Sequence, residues 1–207
     1  MIYILSDKKI DGALNLEVIK TIFFDVEVNL KPYDGLVFTS RKSVIALDRI
    51  NKEWIGMPSF AVGFATAEAI NSFGGRVEFE CGDGYAQSLA HEIEKKYSNL
   101  KFLHPRGVVT AFDLKVDLSE KVTVFDDVVL YETECNDFSI PAFDSCPIFI
   151  FSSPSTVKCF FKKAEWKSSY KAIAIGKTTA SSLPPDIKYY LPSKRTLKSA
   201  VELAATL

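Results

Sequence analysis

IFIFSSPSTVKCFF, residues 148–161, lines up without a gap on GLVFTSRKSVIALD, residues 35–48, at a shift of 113. Each stretch opens as a short apolar strand, runs into hydroxyl residues, and continues with the spacing of a helix. In the first copy Ser43 to Ile50 has apolar residues at 44, 45, 47 and 50, which is a helical period. A second pair keeps the same shift: KAIAIGKTTASSL, from residue 171, falls on SFAVGFATAEAI, with Gly176 on Gly63 and Thr179 on Thr66. An ungapped offset held across two strand–turn–helix units marks an internal duplication of an α/β unit.

Working outward, Gln87 to Tyr97 is helical, with Leu89, Ile93 and Tyr97 on one face. KFLHPRG (101–107) and VTVFDDVVLYET (122–133) read as two more strands. YILSDKKI near the N-terminus resembles FLHPRGVV, and IFFDVEVNL resembles VFDDVVLYE, at shifts of about 100. The chain is therefore ordered A1 (about residues 1–30), B1 (35–97), A2 (101–132) and B2 (147–204). Two assemblies fit that order. Either A1B1 and A2B2 are the domains, or B1 and A2 form a central domain while A1 folds back on B2. In the second case the chain crosses twice, near Asp25 to Lys31 and Leu130 to Asp137, through β-prone segments suited to an antiparallel hinge beside a ligand cleft.

With 207 residues, 47% hydrophobic and 13% aromatic, the chain can bury a core, which excludes wholesale disorder. A net charge of −1 leaves no basic surplus for nucleic acid or a membrane surface. MIYILSDKKIDG has only four apolar residues before Ser6 and Asp7, too few for a signal-peptide core or a membrane span. The four cysteines, Cys81, Cys135, Cys146 and Cys159, form no CxxC clamp, and His91 and His104 are the only histidines. Buried or idle thiols in a reducing cytosol, and a soluble, intracellular, metal-free protein, are the expectation.

Four places set small hydroxyl residues between a strand and a helix: Thr39-Ser40, Thr66, Ser152-Ser153 with Ser155, and Thr178-Thr179. Helix first turns carry unpaired N–H groups and partial positive charge, so they suit carboxylates or phosphates, although each residue also serves as a plain N-cap. In open α/β sheets such turns gather at one edge, where ligands sit. There is no GxSxG elbow, Walker loop or GxGxxG. His91 reads as solvent-facing. His104-Pro105-Arg106-Gly107 reads as a turn after a strand, where Arg106 is either structural or a partner for an acidic ligand. Tyr131 stands at the second crossing, either packed or with its hydroxyl in the cleft. Lys171 is a strand-end cation, and Asp126-Asp127 reads as turn chemistry.

These motifs, GLVFTSRKSV, AVGFATAEAI, VVLYET, IFIFSSPSTV and AIAIGKTTASSL in that order, resemble the uroporphyrinogen-III synthase family over roughly residues 30–205. The resemblance implies two similar α/β lobes with parallel sheets, joined by a two-stranded antiparallel β connector with a cleft between them. The outer lobe would comprise residues 1–28 and 136–207, the central lobe 33–130, with crossings near 25–32 and 130–137. It further implies a lyase without cofactor or metal; a cytoplasmic location and a monomer are expected from the residues themselves, since no signal-peptide core and no self-complementary apolar stripe stand out. Such an enzyme closes hydroxymethylbilane, a linear polycarboxylate tetrapyrrole, to uroporphyrinogen III, losing water and inverting the terminal ring. Tyr131 matches the family's cleft tyrosine, which assists departure of the hydroxyl. Ser40, Thr66, Ser153, Ser155, Thr178 and Thr179 fall where the family meets substrate carboxylates, largely through backbone N–H groups. Lys171 matches a lysine before the Ile-Gly-x-Thr-Thr stretch, and Arg106 with Gly107 an Arg-Gly turn of bacterial members. Two departures stand out. The usual arginine-containing turn and helix after the first strand are missing, and Arg41 and Lys42 replace small or amide residues. The alternative is a non-catalytic two-lobed ligand-binding or regulatory module of the same fold.

Overall fold

A computed structural model describes residues 1–6, 9–138 and 146–207. The chain divides into two compact units, Met1–Thr21 with Thr133–Leu207, and Ile22–Glu132. It opens with β1 (Ile2–Leu5), β2 (Leu14–Asn15) and β3 (Ile19–Phe23). There follow β4 (Gly35–Phe38), α1 (Arg41–Ile50), β5 (Pro58–Ala61), α2 (Phe64–Ser72), β6 (Arg76–Glu80) and α3 (Ala86–Tyr97). Next come β7 (Lys101–Gly107), α4 (Leu114–Leu118) and the long β8 (Val124–Cys135). The C-terminal part holds β9 (Ile148–Phe151), α5 (Pro154–Phe161), β10 (Lys171–Ala174), α6 (Lys177–Ala180), β11 (Tyr189–Tyr190) and α7 (Leu197–Ala204).

The duplication is visible element by element. A shift of 113 carries the bounds of β4 onto β9 and of β5 onto β10, and the first residues of α1 and α2 onto α5 and α6. The two sheets repeat it in space, with strand orders β11-β10-β9-β1-β2 and β3-β8-β7-β4-β5-β6. Thus β1 lies parallel beside β9 as β7 lies parallel beside β4. The fold is α/β with two mainly parallel sheets. At the outer edge of the larger sheet, Phe24 N–H donates to Leu130 O, and Asn136 N–H to Val18 O. Rising numbers on one strand meet falling numbers on the other, so β3 runs antiparallel to β8.

Apolar runs become central strands because both faces are covered. In β9, Phe149 and Phe151 enter one cluster with Phe160, while Ile148 and Ile150 enter another with Ala200 and Ala204 of α7. In β4, Leu36 and Phe38 pack with Leu47 and Trp54, and Val37 packs with Phe60 and Phe102. Burying each such side chain contributes about 1.5–3 kcal/mol. Helix starts are capped as their hydroxyls suggest: Ser40 Oγ accepts from Lys42 N–H at 3.0 Å, and Ser153 with Thr156 forms a reciprocal capping box ahead of Pro154.

Three expectations are corrected. His104-Pro105-Arg106-Gly107 is not a turn, because β7 continues to Gly107. Its register with β4 runs to Leu103, whereas β8 stays alongside to the end, so Pro105, which has no N–H to donate, falls beyond the last β4 pair. Asp126 and Asp127 also lie in a strand, β8, where each finds a specific partner: the Tyr33 hydroxyl donates to Asp126, and Arg106 pairs with Asp127. Finally, the thiols are not all idle. Cys135, which ends β8, is disulfide-bonded to Cys159 on α5, leaving Cys81 buried and Cys146 exposed. In the described N-terminal segment the short strand β2 pairs parallel with β1. Among the described residues no helix is long and apolar enough to cross a membrane.

Candidate active site

In the unit spanning Ile22–Glu132, β4, β5 and β7 run parallel, so the turns that leave them open on one edge of the sheet. β8 brings Tyr131 to that edge, opposite Gly107. Its ring is 8% exposed and packs against Phe23 at 6.4 Å between centroids. The phenol hydroxyl donates to Ser40 Oγ at 3.3 Å, so Ser40 links the start of α1 to the tyrosine. The adjacent Thr39 hydroxyl lies 3.2 Å from His104 Nε2.

His104 is buried, and that burial pushes its pKa down to about 4; Arg106 adds to the shift, while Asp127 and Asp113 oppose it. A neutral imidazole at physiological pH supports Thr39 and does not supply a strong acid. Arg106 is engaged on three sides. Nε pairs with Asp127 Oδ2 at 2.5 Å, and Nη1 donates to the carbonyls of Gly107 at 3.0 Å and Val108 at 3.3 Å. Burial works to raise the Asp127 carboxyl, but the hydrogen bonds and charges of Arg106 and Lys115 outweigh it and hold the group below the usual carboxylate range. Arg106 thus acts as a brace of the β7 end. Thr66 lies buried on α2, and its N–H is taken by Gly63 O at 2.9 Å.

The unit that includes the C-terminal part repeats this device. Thr179 is buried, and its N–H donates to Gly176 O at 3.1 Å, the counterpart of Thr66 on Gly63. Thr178 and Ser155 are half-buried at the first turns of α6 and α5. Ser153 spends its hydroxyl on Thr156 N–H and its own N–H on Thr156 Oγ1. Lys171 begins β10, at the opposite end of the strand from Thr178 and Thr179, and its ammonium donates to Leu207 O. The sheet therefore does not bring Lys171 together with the hydroxyl turns. Arg195, which the sequence reading passed over, lies across the Gly176 backbone; a Cβ there would meet its Nε at 2.7 Å. Phe64, 61% exposed as the first residue of α2, was also missed, though a large aromatic directly after the Gly63 turn was a signal. The pairing of Asp127 with Arg106 became visible only with the register of β7 on β8.

Chemically, the larger sheet's edge offers a phenol donor oriented by a hydroxyl, with no buried acid–base pair of high driving force among the described residues. Nor is any group of three or more His, Cys, Asp or Glu among them placed to hold a metal ion. The family model described as uroporphyrinogen-III synthase HemD matches residues 18–202. The chain belongs to the uroporphyrinogen-III synthase family. Its activity is that of the family, the cyclisation of a tetrapyrrole substrate in haem biosynthesis. Solved synthase structures agree in fold. The uroporphyrinogen-III synthetase of Helicobacter pylori 26695 superposes with a TM-score of 0.80 at 24% identity, covering 99% of this chain and 98% of that one. A mutant uroporphyrinogen III synthase of the extremely thermophilic bacterium Thermus thermophilus gives 0.60 at 14% identity, covering 99% and 96%. A search of curated protein sequences finds no match.

Proposed function

We propose that this synthase is a cyclising hydro-lyase in which Tyr131 protonates the departing hydroxyl of hydroxymethylbilane. The observation that carries the reading is the Tyr131 hydroxyl held on Ser40 at the sheet edge. Loss of water from a hydroxymethylpyrrole is assisted by the ring nitrogen, so a phenol suffices as proton donor. The proton goes to the leaving oxygen, water departs, the terminal pyrrole attacks through its substituted carbon to give a spiro intermediate that rearranges with ring inversion, and the proton lost from the closing pyrrole carbon restores the phenol. The protein's task is to hold the chain for that attack, which is control by orientation.

Substrate carboxylates are assigned to the helix first turns that carry Ser40, Thr66, Ser153, Ser155, Thr178 and Thr179, through amides more than hydroxyls. The Ser153 hydroxyl is occupied, and the N–H groups of Ser153, Thr66 and Thr179 are themselves bonded within their turns, so the assignment falls on the other amides of each first turn. Arg106 serves as a brace, and Lys171 is left out of the site because of its bond to Leu207. Residues 1–28 with 136–207, and 33–130, are proposed as the two domains, and a cytoplasmic monomer as the working form. The test is Tyr131→Phe assayed on hydroxymethylbilane. Turnover is expected to fall at least about tenfold with an unchanged unfolding midpoint. Wild-type turnover in the variant removes Tyr131 from the mechanism.

A further inference from the structure

Gly107 has a backbone that any residue adopts: the glycines with positive φ are Gly12, Gly74 and Gly84. Its conformation therefore gives no reason for glycine. Its surroundings do. A Cβ on Gly107 would lie 2.8 Å from Tyr131 Cε2, 2.9 Å from Cζ and 3.2 Å from the hydroxyl oxygen. The hydroxyl end of the ring occupies the space a side chain would take. The register of β7 on β8 slips at this point, from Arg106 opposite Val129 to Gly107 opposite Tyr131, so Leu130 is the extra residue of a bulge. Val108 N–H then closes on Tyr131 O at 2.9 Å, and the two carbonyl bonds from Arg106 grip the Gly107–Val108 backbone. Both sides of the contact are thereby held.

We infer that Gly107 is a positioning residue for Tyr131: its missing side chain seats the phenol so that the hydroxyl reaches Ser40. Its catalytic consequence rests on the proposed role of Tyr131, whereas the seat itself does not. In Gly107→Ala the ring is displaced, because Cβ contacts below 3.0 Å are not sustained and the neighbouring backbone is braced. The expected result is a kcat at least about tenfold lower, with KM changed by less than about threefold. In a Tyr131→Phe background the same substitution costs no further turnover, since the hydroxyl it misplaces is already gone.

A second readout does not depend on activity. In protein labelled with 13C at tyrosine Cζ, Gly107→Ala shifts the Tyr131 resonance, assigned through Tyr131→Phe, more than any other tyrosine. If Gly107→Ala fails to fold, adding Tyr131→Ala restores the unfolding midpoint of Tyr131→Ala alone. Wild-type kcat with an unmoved Tyr131 resonance overturns the inference. So do losses that multiply independently in the double variant, a rise in KM alone, or failure of the size-swap rescue. A moved resonance with Tyr131→Phe fully active keeps the seat and discards only the proton-donor reading.

Discussion

His104 shows how one residue couples the site to the stability of its sheet. Buried and neutral, it keeps a proton affinity far below that of an exposed imidazole. As pH falls below about 6.5 the unfolded chain takes up a proton that the folded protein refuses until about pH 4. Stability is full above that window and declines within it, by about 2 kcal/mol between pH 6.5 and 5. Asp127, held low by Arg106 and Lys115, loses its own contribution only as pH drops through the carboxylate range. Denaturant midpoints measured across this window therefore slope downward with acidification. In His104→Gln the slope between pH 6.5 and 5 flattens; parallel curves for the two proteins contradict the assignment. The arrangement that causes this is not legible in residue spacing. His104 meets Thr39, and Arg106 meets Asp127, only once parallel strands are in register, and register follows from distant packing.

At the scale of elements, the strand–turn–helix units are legible because each joins an unbroken apolar run to a hydroxyl cap or a glycine turn. Ser40 and Ser153 stand at their helix starts for the physical reason their sequence suggests. Pro105 misleads in the opposite direction, since β7 continues through it alongside β8, past its last pair with β4. Cysteine pairing is equally hidden: the separation of 24 between Cys135 and Cys159 says nothing of a bond that fastens the end of β8 to α5. Closing a stretch of that length stabilises the folded state by about 3 kcal/mol through the lost freedom of the unfolded chain. Cys159→Ala should lower stability by about that amount in non-reducing buffer and abolish the further effect of reductant. A non-reduced digest should contain the Cys135–Cys159 peptide pair. Identical midpoints for wild type with and without reductant, or free thiols at both positions, contradict the bond.

For the whole molecule, the constant shift of 113 explains why so much architecture is readable from one chain. Two copies of a unit must bury equivalent faces, so each apolar run confirms its counterpart. Which N-terminal strand joins which copy is not contained in that periodicity, and the pairing of β1 with β9 supplies it. The hydroxyl turns of both copies reappear at helix starts: Ser40 and Ser153 cap α1 and α5, while Thr66 and Thr179 lie buried just inside the glycine-led α2 and α6. What the duplication does not produce is also informative. Among the described residues Tyr131, Gly107 and Ser40 have no repeated counterpart acting as a trio, which leaves the proposed proton donor on one sheet edge alone. This chain imposes inversion of the terminal ring during closure, and isomer analysis tests that most directly. Hydroxymethylbilane is generated in situ with the purified protein, the products are oxidised, and uroporphyrins I and III are separated by chromatography. Predominantly type III product that scales with protein concentration is the expected result. Type I product alone, at the rate of the protein-free control, contradicts it.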